Sequence, residues 1–117
     1  MMQLILIGTG GAAGSILRYL IQKAFNTQFP MGTLCVNIAG CFLIGLMWAF
    51  STKGMSEQLR YLLMTGFCGG FTTFSAFGLE ASQMILNGRW AILFIYIFTS
   101  VAVGILATFL GYKIFSA

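Results

Sequence analysis

The stretch Gly66-Phe67-Cys68-Gly69-Gly70-Phe71-Thr72-Thr73-Phe74-Ser75 lies in the middle of an apolar run from about Leu59 to about Leu86. About 20 predominantly apolar residues, at 1.5 Å rise each, cross the roughly 30 Å of hydrocarbon in a bilayer, so this run is long enough to span. Two adjacent glycines inside a helix cost about 1 kcal/mol each relative to alanine. Thr72, Thr73 and Ser75 prefer helix caps to helix interiors. The glycines alone would read as a place where helices pack closely. With three hydroxyls beside them, the stretch reads as a break within residues 69–73. One half-helix is expected to end near Gly69 and another to start near Thr72 or Thr73. Irregular backbone at membrane depth survives only where it is buried in protein or lines a cavity. Broken helices aim N–H groups and positive dipole ends at anions, while freed carbonyls coordinate cations.

Three further stretches qualify as spans: about Leu4 to Ala24, about Met31 to Phe50, and about Trp90 to Phe115. Pro30 suits a helix start, and Asn87-Gly88 makes a turn. The expected fold is an all-α membrane protein, a single four-helix transmembrane domain over residues 1–117 with its third helix broken in the middle. The connections are short, and four helices put both termini on one side. The N-terminal run Met1 to Ile7 has no basic n-region and no A-x-A site follows it, so it is read as part of the first span and not as a signal peptide.

Composition agrees. Of 117 residues, 59% are hydrophobic and only 7% charged, against about a quarter in soluble domains. That is too little charge to cover a water-facing surface, so a soluble globular domain and a disordered chain are both excluded. There is no His, and the two acids are Glu57 and Glu80. A Ser-His-Asp or Cys-His nucleophile system cannot be built, nor a His/carboxylate zinc site. The chain is not read as an enzyme, and function is sought in passage, binding or assembly. Cys35, Cys41 and Cys68 sit in apolar runs without C-x-x-C spacing and read as small buried hydrophobes. Nucleic acid is not an expected partner.

Cytoplasmic loops normally carry the Lys/Arg excess. Here one side holds Lys53, Arg60 and Lys113, and the other Lys23 and Arg89, with Arg18 if it snorkels to that end. The bias is close to zero. Insertion in both orientations, and with it an antiparallel homodimer, stands level with a single orientation set by one loop charge or by lipid.

The polar residues inside the spans are the candidate functional groups. Phe74 and Phe77 lie one turn apart, on one face of the second half-helix. They are either packing residues or a pair of electropositive ring edges offered to a small anion. Thr33 and Asn37 share a face of the second span. The Asn37 amide can donate to an anion or bond a neighbouring helix. Tyr96, Ser100, Gly104 and Thr108 recur every four residues on the fourth span. That line reads as a hydrated track more readily than as interhelical bonding. Glu80 is the one acid inside a span, a functional candidate by position. Its partner is Arg18, Lys23 or a hydroxyl, unless it lies at the interface and is solvated. Arg18 is either a snorkelling anchor or a cation that concentrates anions at a vestibule. Gly10 and Gly14 form G-x-x-x-G, a close-packing face.

Taken together, Gly11-Ala12-x-Gly14-x-x-x-Arg18-Tyr19, Pro30-x-Gly32-Thr33-Leu34-x-x-Asn37-x-x-Gly40, and the Gly66 to Ser75 stretch followed by Phe77 and Glu80 resemble the Fluc (CrcB) family of fluoride channels. The resemblance covers all four spans. It implies an antiparallel dual-topology homodimer with two pores that exports fluoride passively across a prokaryotic inner membrane. It implies a structural Na⁺ at the dimer centre, held by main-chain carbonyls that fall here on Gly69 and Thr72. It makes Phe74 and Phe77 the pore phenylalanines, Asn37 a pore amide, and Tyr96, Ser100 and Thr108 the polar track. The alternative is a small multidrug-resistance-type proton-coupled transporter, which is also four-helical and dual-topology but looks for an acid in its first span, where this chain has none.

Overall fold

The computed structural model describes residues 1–116. Its helices are α1 (Met2–Phe25), α2 (Met31–Thr52), α3 (Glu57–Arg60), α4 (Gly69–Phe71), α5 (Phe74–Leu86) and α6 (Trp90–Ser116), with a π-helical run, Tyr61–Cys68, between α3 and α4. Four stretches are long and apolar enough to cross a membrane: α1, α2, the composite Glu57–Leu86, and α6. The outward faces carry exposed Leu, Ile, Val and Phe along their length, the surface that lipid requires.

The helices pair through small residues. Without a hydrophobic force between helices in lipid, association rests on close backbone approach. A Cβ at Gly10 or Gly14 would overlap the Leu62 or Phe67 carbonyl oxygen, so α1 lies directly against the π-helical run and α4. A Cβ at Gly45 or Gly111 would overlap the Thr108 or Phe42 carbonyl, which sets α2 against α6. The buried cluster Leu34, Met84, Leu93 and Tyr96 ties α2, α5 and α6 together, with Phe29 and Phe77 packed on it.

The third span changes course at two residues. Thr72 (φ −89°, ψ 157°) and Thr73 (φ −149°, ψ 118°) are extended, and helix resumes at Phe74. The glycine pair is itself helical: Gly69 has φ −61°, ψ −39°. The first helical segment therefore continues two residues beyond Gly69, to Phe71. The reason is packing: the Gly70 backbone lies against Gly11 of α1, where a Cβ would overlap the Gly11 carbonyl. The departure from helix falls on the threonines. Thr72 N–H and Oγ both donate to the Cys68 carbonyl, at 3.1 and 3.0 Å. Thr73 Oγ caps α5 by accepting from Ala76 N at 3.2 Å.

Gly14→Ala drives a methyl into the Phe67 carbonyl and is expected to lower stability by about 1–3 kcal/mol, the usual scale of overpacking. Gly8→Ala, which meets nothing within 4 Å, leaves stability unchanged or raised. Thermal unfolding of both variants in detergent checks the pair, and equal midpoints would remove the packing argument.

Candidate ion pathway

The extended pair at 72–73 leaves backbone groups that helix would have satisfied. Asn37, on α2, takes up two of them. Its side-chain oxygen accepts from Thr73 N at 2.8 Å, and its amide nitrogen donates to Thr73 O at 3.1 Å. Both ends of the amide are thus engaged with one residue's peptide groups. Of the two roles open to Asn37, bonding across to a neighbouring helix is the one seen.

Beside this pair lies a cleft of about 420 Å³, lined by Asn37, Gly40, Cys41, Ile44, Met64, Cys68, Gly69, Thr72, Thr73, Phe74, Phe77, Ser100 and Val101. It brings together four of the candidate pore residues, Asn37, Phe74, Phe77 and Ser100, with Gly69 and Thr72, the two residues expected to offer carbonyls to a cation. The Phe74 and Phe77 ring centroids are 5.7 Å apart and tilted by 41°. Phe74 is 83% exposed. Ser100 Oγ is buried and finds no hydrogen-bond partner among the described residues. A buried hydroxyl left unpaired costs roughly 1–3 kcal/mol, so its position facing a cleft calls for a ligand or water.

A second, polar cavity of about 460 Å³ is lined by Asn26, Thr27, Gln28, Pro30, Glu80, Gln83, Met84, Asn87 and Arg89. The α1–α2 and α5–α6 loops meet there, joined by Arg89 Nη1 donating to Gln28 O at 2.7 Å. Glu80 reaches this cavity from α5. Its Oε2 accepts from Thr33 Oγ at 2.7 Å and Asn26 Nδ2 at 3.2 Å, and its Oε1 from the Tyr96 hydroxyl at 2.8 Å. Its partners are therefore two hydroxyls and an amide. Thr33 is fully buried and also accepts from Gln22 Nε2 at 3.0 Å and Asn26 Nδ2 at 3.2 Å. Gln22 Oε1 in turn accepts from Arg18 Nη1 at 3.3 Å, and Arg18 Nε donates to Gly70 O at 3.0 Å. Arg18 reaches inward to the third span, linked to Glu80 by a relay of neutral groups. Between them, the ring centroid of Phe77, on the cleft wall, lies 5.0 Å from that of Tyr96, whose hydroxyl donates to Glu80 of the second cavity.

Thr108 lines neither cavity. Its hydroxyl donates to the Gly104 carbonyl at 3.1 Å. Gly104 faces Cys41, whose Sγ lies 3.5 Å from where a Cβ would stand. Within the protomer, the row from Tyr96 to Thr108 thus divides between the Glu80 network, the cleft, and the α2–α6 seam. Gln22, Asn26 and Arg89 were not singled out from sequence. The signal for the first two was present, since Arg18 and Gln22 stand four apart on one face of α1 and Asn26, four further on, caps its end. Arg89 gave no local signal beyond its charge.

Four apolar spans around a polar interior define a multi-pass membrane protein. Residues 5–112 match the family described as CrcB-like protein, Camphor Resistance (CrcB), and the chain belongs to that family. It is 44% identical to a fluoride-specific ion channel, FluC, of Phocaeicola vulgatus, with 95% of this chain and 96% of the relative covered. It is 46% identical to the FluC of Flavobacterium psychrophilum, with 90% of each covered. It is 44% identical to that of Rhizobium etli, with 100% of this chain and 98% of the relative covered.

Asn37→Leu keeps the volume and strands the Thr73 N–H and C=O in an apolar setting. At about 1–3 kcal/mol for an unsatisfied buried polar group, the variant is expected to melt well below the parent. An Asn37 that served only to donate to a passing ion would leave the melting temperature unchanged, and that result would overturn the assignment.

Proposed function

We propose that this protein is a passive fluoride-selective channel that exports F⁻ across a prokaryotic inner membrane and protects against fluoride toxicity. The observation that carries the reading is near-full-length identity of 44–46% to three fluoride-specific ion channels. Acid outside carries HF inward, the cytoplasm traps it as F⁻, and a pore then releases the ion down its gradient. No chemical step is needed, consistent with a chain that holds no His and two acids.

The cleft supplies weak, neutral donors for such an ion. Phe74 and Phe77 offer electropositive ring edges, and the unpaired Ser100 hydroxyl is free to donate. Weak donors of this kind replace part of the ion's water without trapping it. The Arg18 guanidinium, bonded to Gly70 O, places a positive charge at the depth of the extended pair and raises the local anion concentration. Glu80, Thr33 and Tyr96 form the polar end of the path, with Thr108 further along the same helix as Tyr96 and Ser100.

The working unit of this reading is an antiparallel, dual-topology homodimer. Phe74, exposed on a single protomer, would be covered by a second copy. The third span acts in it as a functionally broken helix that holds a structural Na⁺. The residues present suit that ion. Around the break, the Cys68 carbonyl is taken by Thr72, the Gly70 carbonyl by Arg18 and Ser15, and the Thr73 carbonyl by Asn37. None of the hydrogen bonds found there ends on the Gly69 or Thr72 carbonyl. Gly69 and Thr72 are the residues that would hold Na⁺, two carbonyls from each of two copies. Without a carboxylate, such a shell suits a monovalent ion better than Ca²⁺ or Mg²⁺. When bound, the ion supplies positive charge to carbonyls that lipid cannot solvate.

Purified protein in loaded liposomes is expected to release fluoride and retain chloride, read by ion-selective electrodes. Phe74→Ile and Phe77→Ile each cut that release while preserving the dimer on size exclusion. Equal chloride release, or none of fluoride, refutes the reading. A tag after Ala117 should be reachable from both faces of the native membrane, and access from one face alone refutes dual topology.

A further inference from the structure

α2 and α6 advance side by side, and their inward residues fall at matching levels. Thr33 and Tyr96 meet at Glu80. One turn on, Asn37 and Ser100 both line the cleft. After another turn, Cys41 Sγ lies 3.5 Å from where a Gly104 Cβ would stand. Beyond that, Gly45 packs on the Thr108 carbonyl. The polar row of α6 therefore has a gap at its third step, because glycine brings no side chain there. The half-buried Cys41, itself on the cleft wall, stands opposite that gap.

Other polar side chains around the cleft are already engaged. Asn37 is held by Thr73, and Thr72 Oγ donates to the Cys68 carbonyl. Thr73 Oγ caps α5, and the Cys68 thiol meets Met47 Sδ at 3.7 Å. Ser100 Oγ is buried and has no partner among the described residues. Of the two thiols on the cleft wall, only that of Cys68 forms a hydrogen bond among the described residues. The two unengaged donors, the Ser100 hydroxyl and the Cys41 thiol, thus come from facing helices on successive steps. Four residues of helix rise about 6 Å.

We propose that the Cys41 thiol is a donor in the ion path, taking the step that Gly104 leaves empty and receiving the anion from Ser100. The proposal rests on the fluoride reading and deepens it. An anion in a narrow path needs donors in place of its water, and it moves on only where each one holds it weakly. An S–H group is uncharged and a weak donor, so it offers contact without a trap. No bond to sulfur forms or breaks. The competing role is packing alone, with the sulfur filling the notch beside Gly104.

Fluoride release from loaded liposomes separates the two roles through a rescue series. Cys41→Ala is expected to slow release about tenfold, the factor that one hydrogen bond to a charged group supplies. Cys41→Ser, which keeps a donor, slows it less. Cys41→Val, which fills the notch without a donor, slows it as alanine does, and carries the same prediction if the alanine variant fails to fold. Gly104→Ser added to Cys41→Ala puts a hydroxyl at the same step from the opposite wall and restores release, whereas Gly104→Ala added to Cys41→Ala does not. The added Cβ fits, since Cys41 Sγ is the one atom from another helix within 4 Å of it. Thermal midpoints in detergent confirm that each variant is folded. Unchanged release from both Cys41→Ala and Cys41→Val overturns the proposal, and so does equal rescue by serine and alanine at position 104. A parent chain that releases no fluoride refutes the fluoride reading instead, and takes with it the ion to which Cys41 would donate.

Discussion

The interaction on which the rest depends is the two-point hold of Asn37 on Thr73. A peptide group released from helix inside a membrane has no water to turn to, and each unpaired group costs several kcal/mol. One amide side chain, placed by α2 at the right height, accepts from the Thr73 N–H and donates to its carbonyl. That allows two consecutive residues to be extended between α4 and α5. The consequences spread outward. Phe74 and Phe77 are brought to the cleft, and Glu80 is carried to the other cavity, within reach of Thr33 and Tyr96.

The second organising element is neutral and polar. Glu80 receives three donors, none of them cationic. Arg18 is bound to a carbonyl and an amide, neither of them anionic. A direct ion pair in a low-dielectric interior must recover a large desolvation cost, and often does not. Here acid and base are kept apart and joined through Gln22 and Thr33.

The four spans were legible because a bilayer imposes length and apolarity together, and few other structures satisfy both. The hydroxyls after Gly70 were legible as helix-cap residues, and Thr73 does cap α5. What the glycines do was not. In a single sequence Gly69-Gly70 alone reads as packing surface and the hydroxyls beside it turn the reading to a break, and only the approach of Gly11 to Gly70 shows that packing decides there. The site was legible by residue type and less so by role. Asn37 reads either as a donor to an ion or as a bond to a neighbouring helix until Thr73 is seen beside it. Gln22 and Asn26 pass as ordinary polar residues until Thr33 and Glu80 arrive from other helices. Roles that depend on a partner far along the chain leave no local pattern.

Arg18 and the carbonyl it binds lie 52 residues apart. A chain inserted in order of synthesis therefore commits α1 to the membrane long before Gly70 exists. In that interval the guanidinium has only water and lipid headgroups to meet, which draws its end of the helix towards the surface. Arrival of the third span moves the side chain from headgroup to protein carbonyl. The docking of this half-buried cation against the third span is thus a late event in biogenesis.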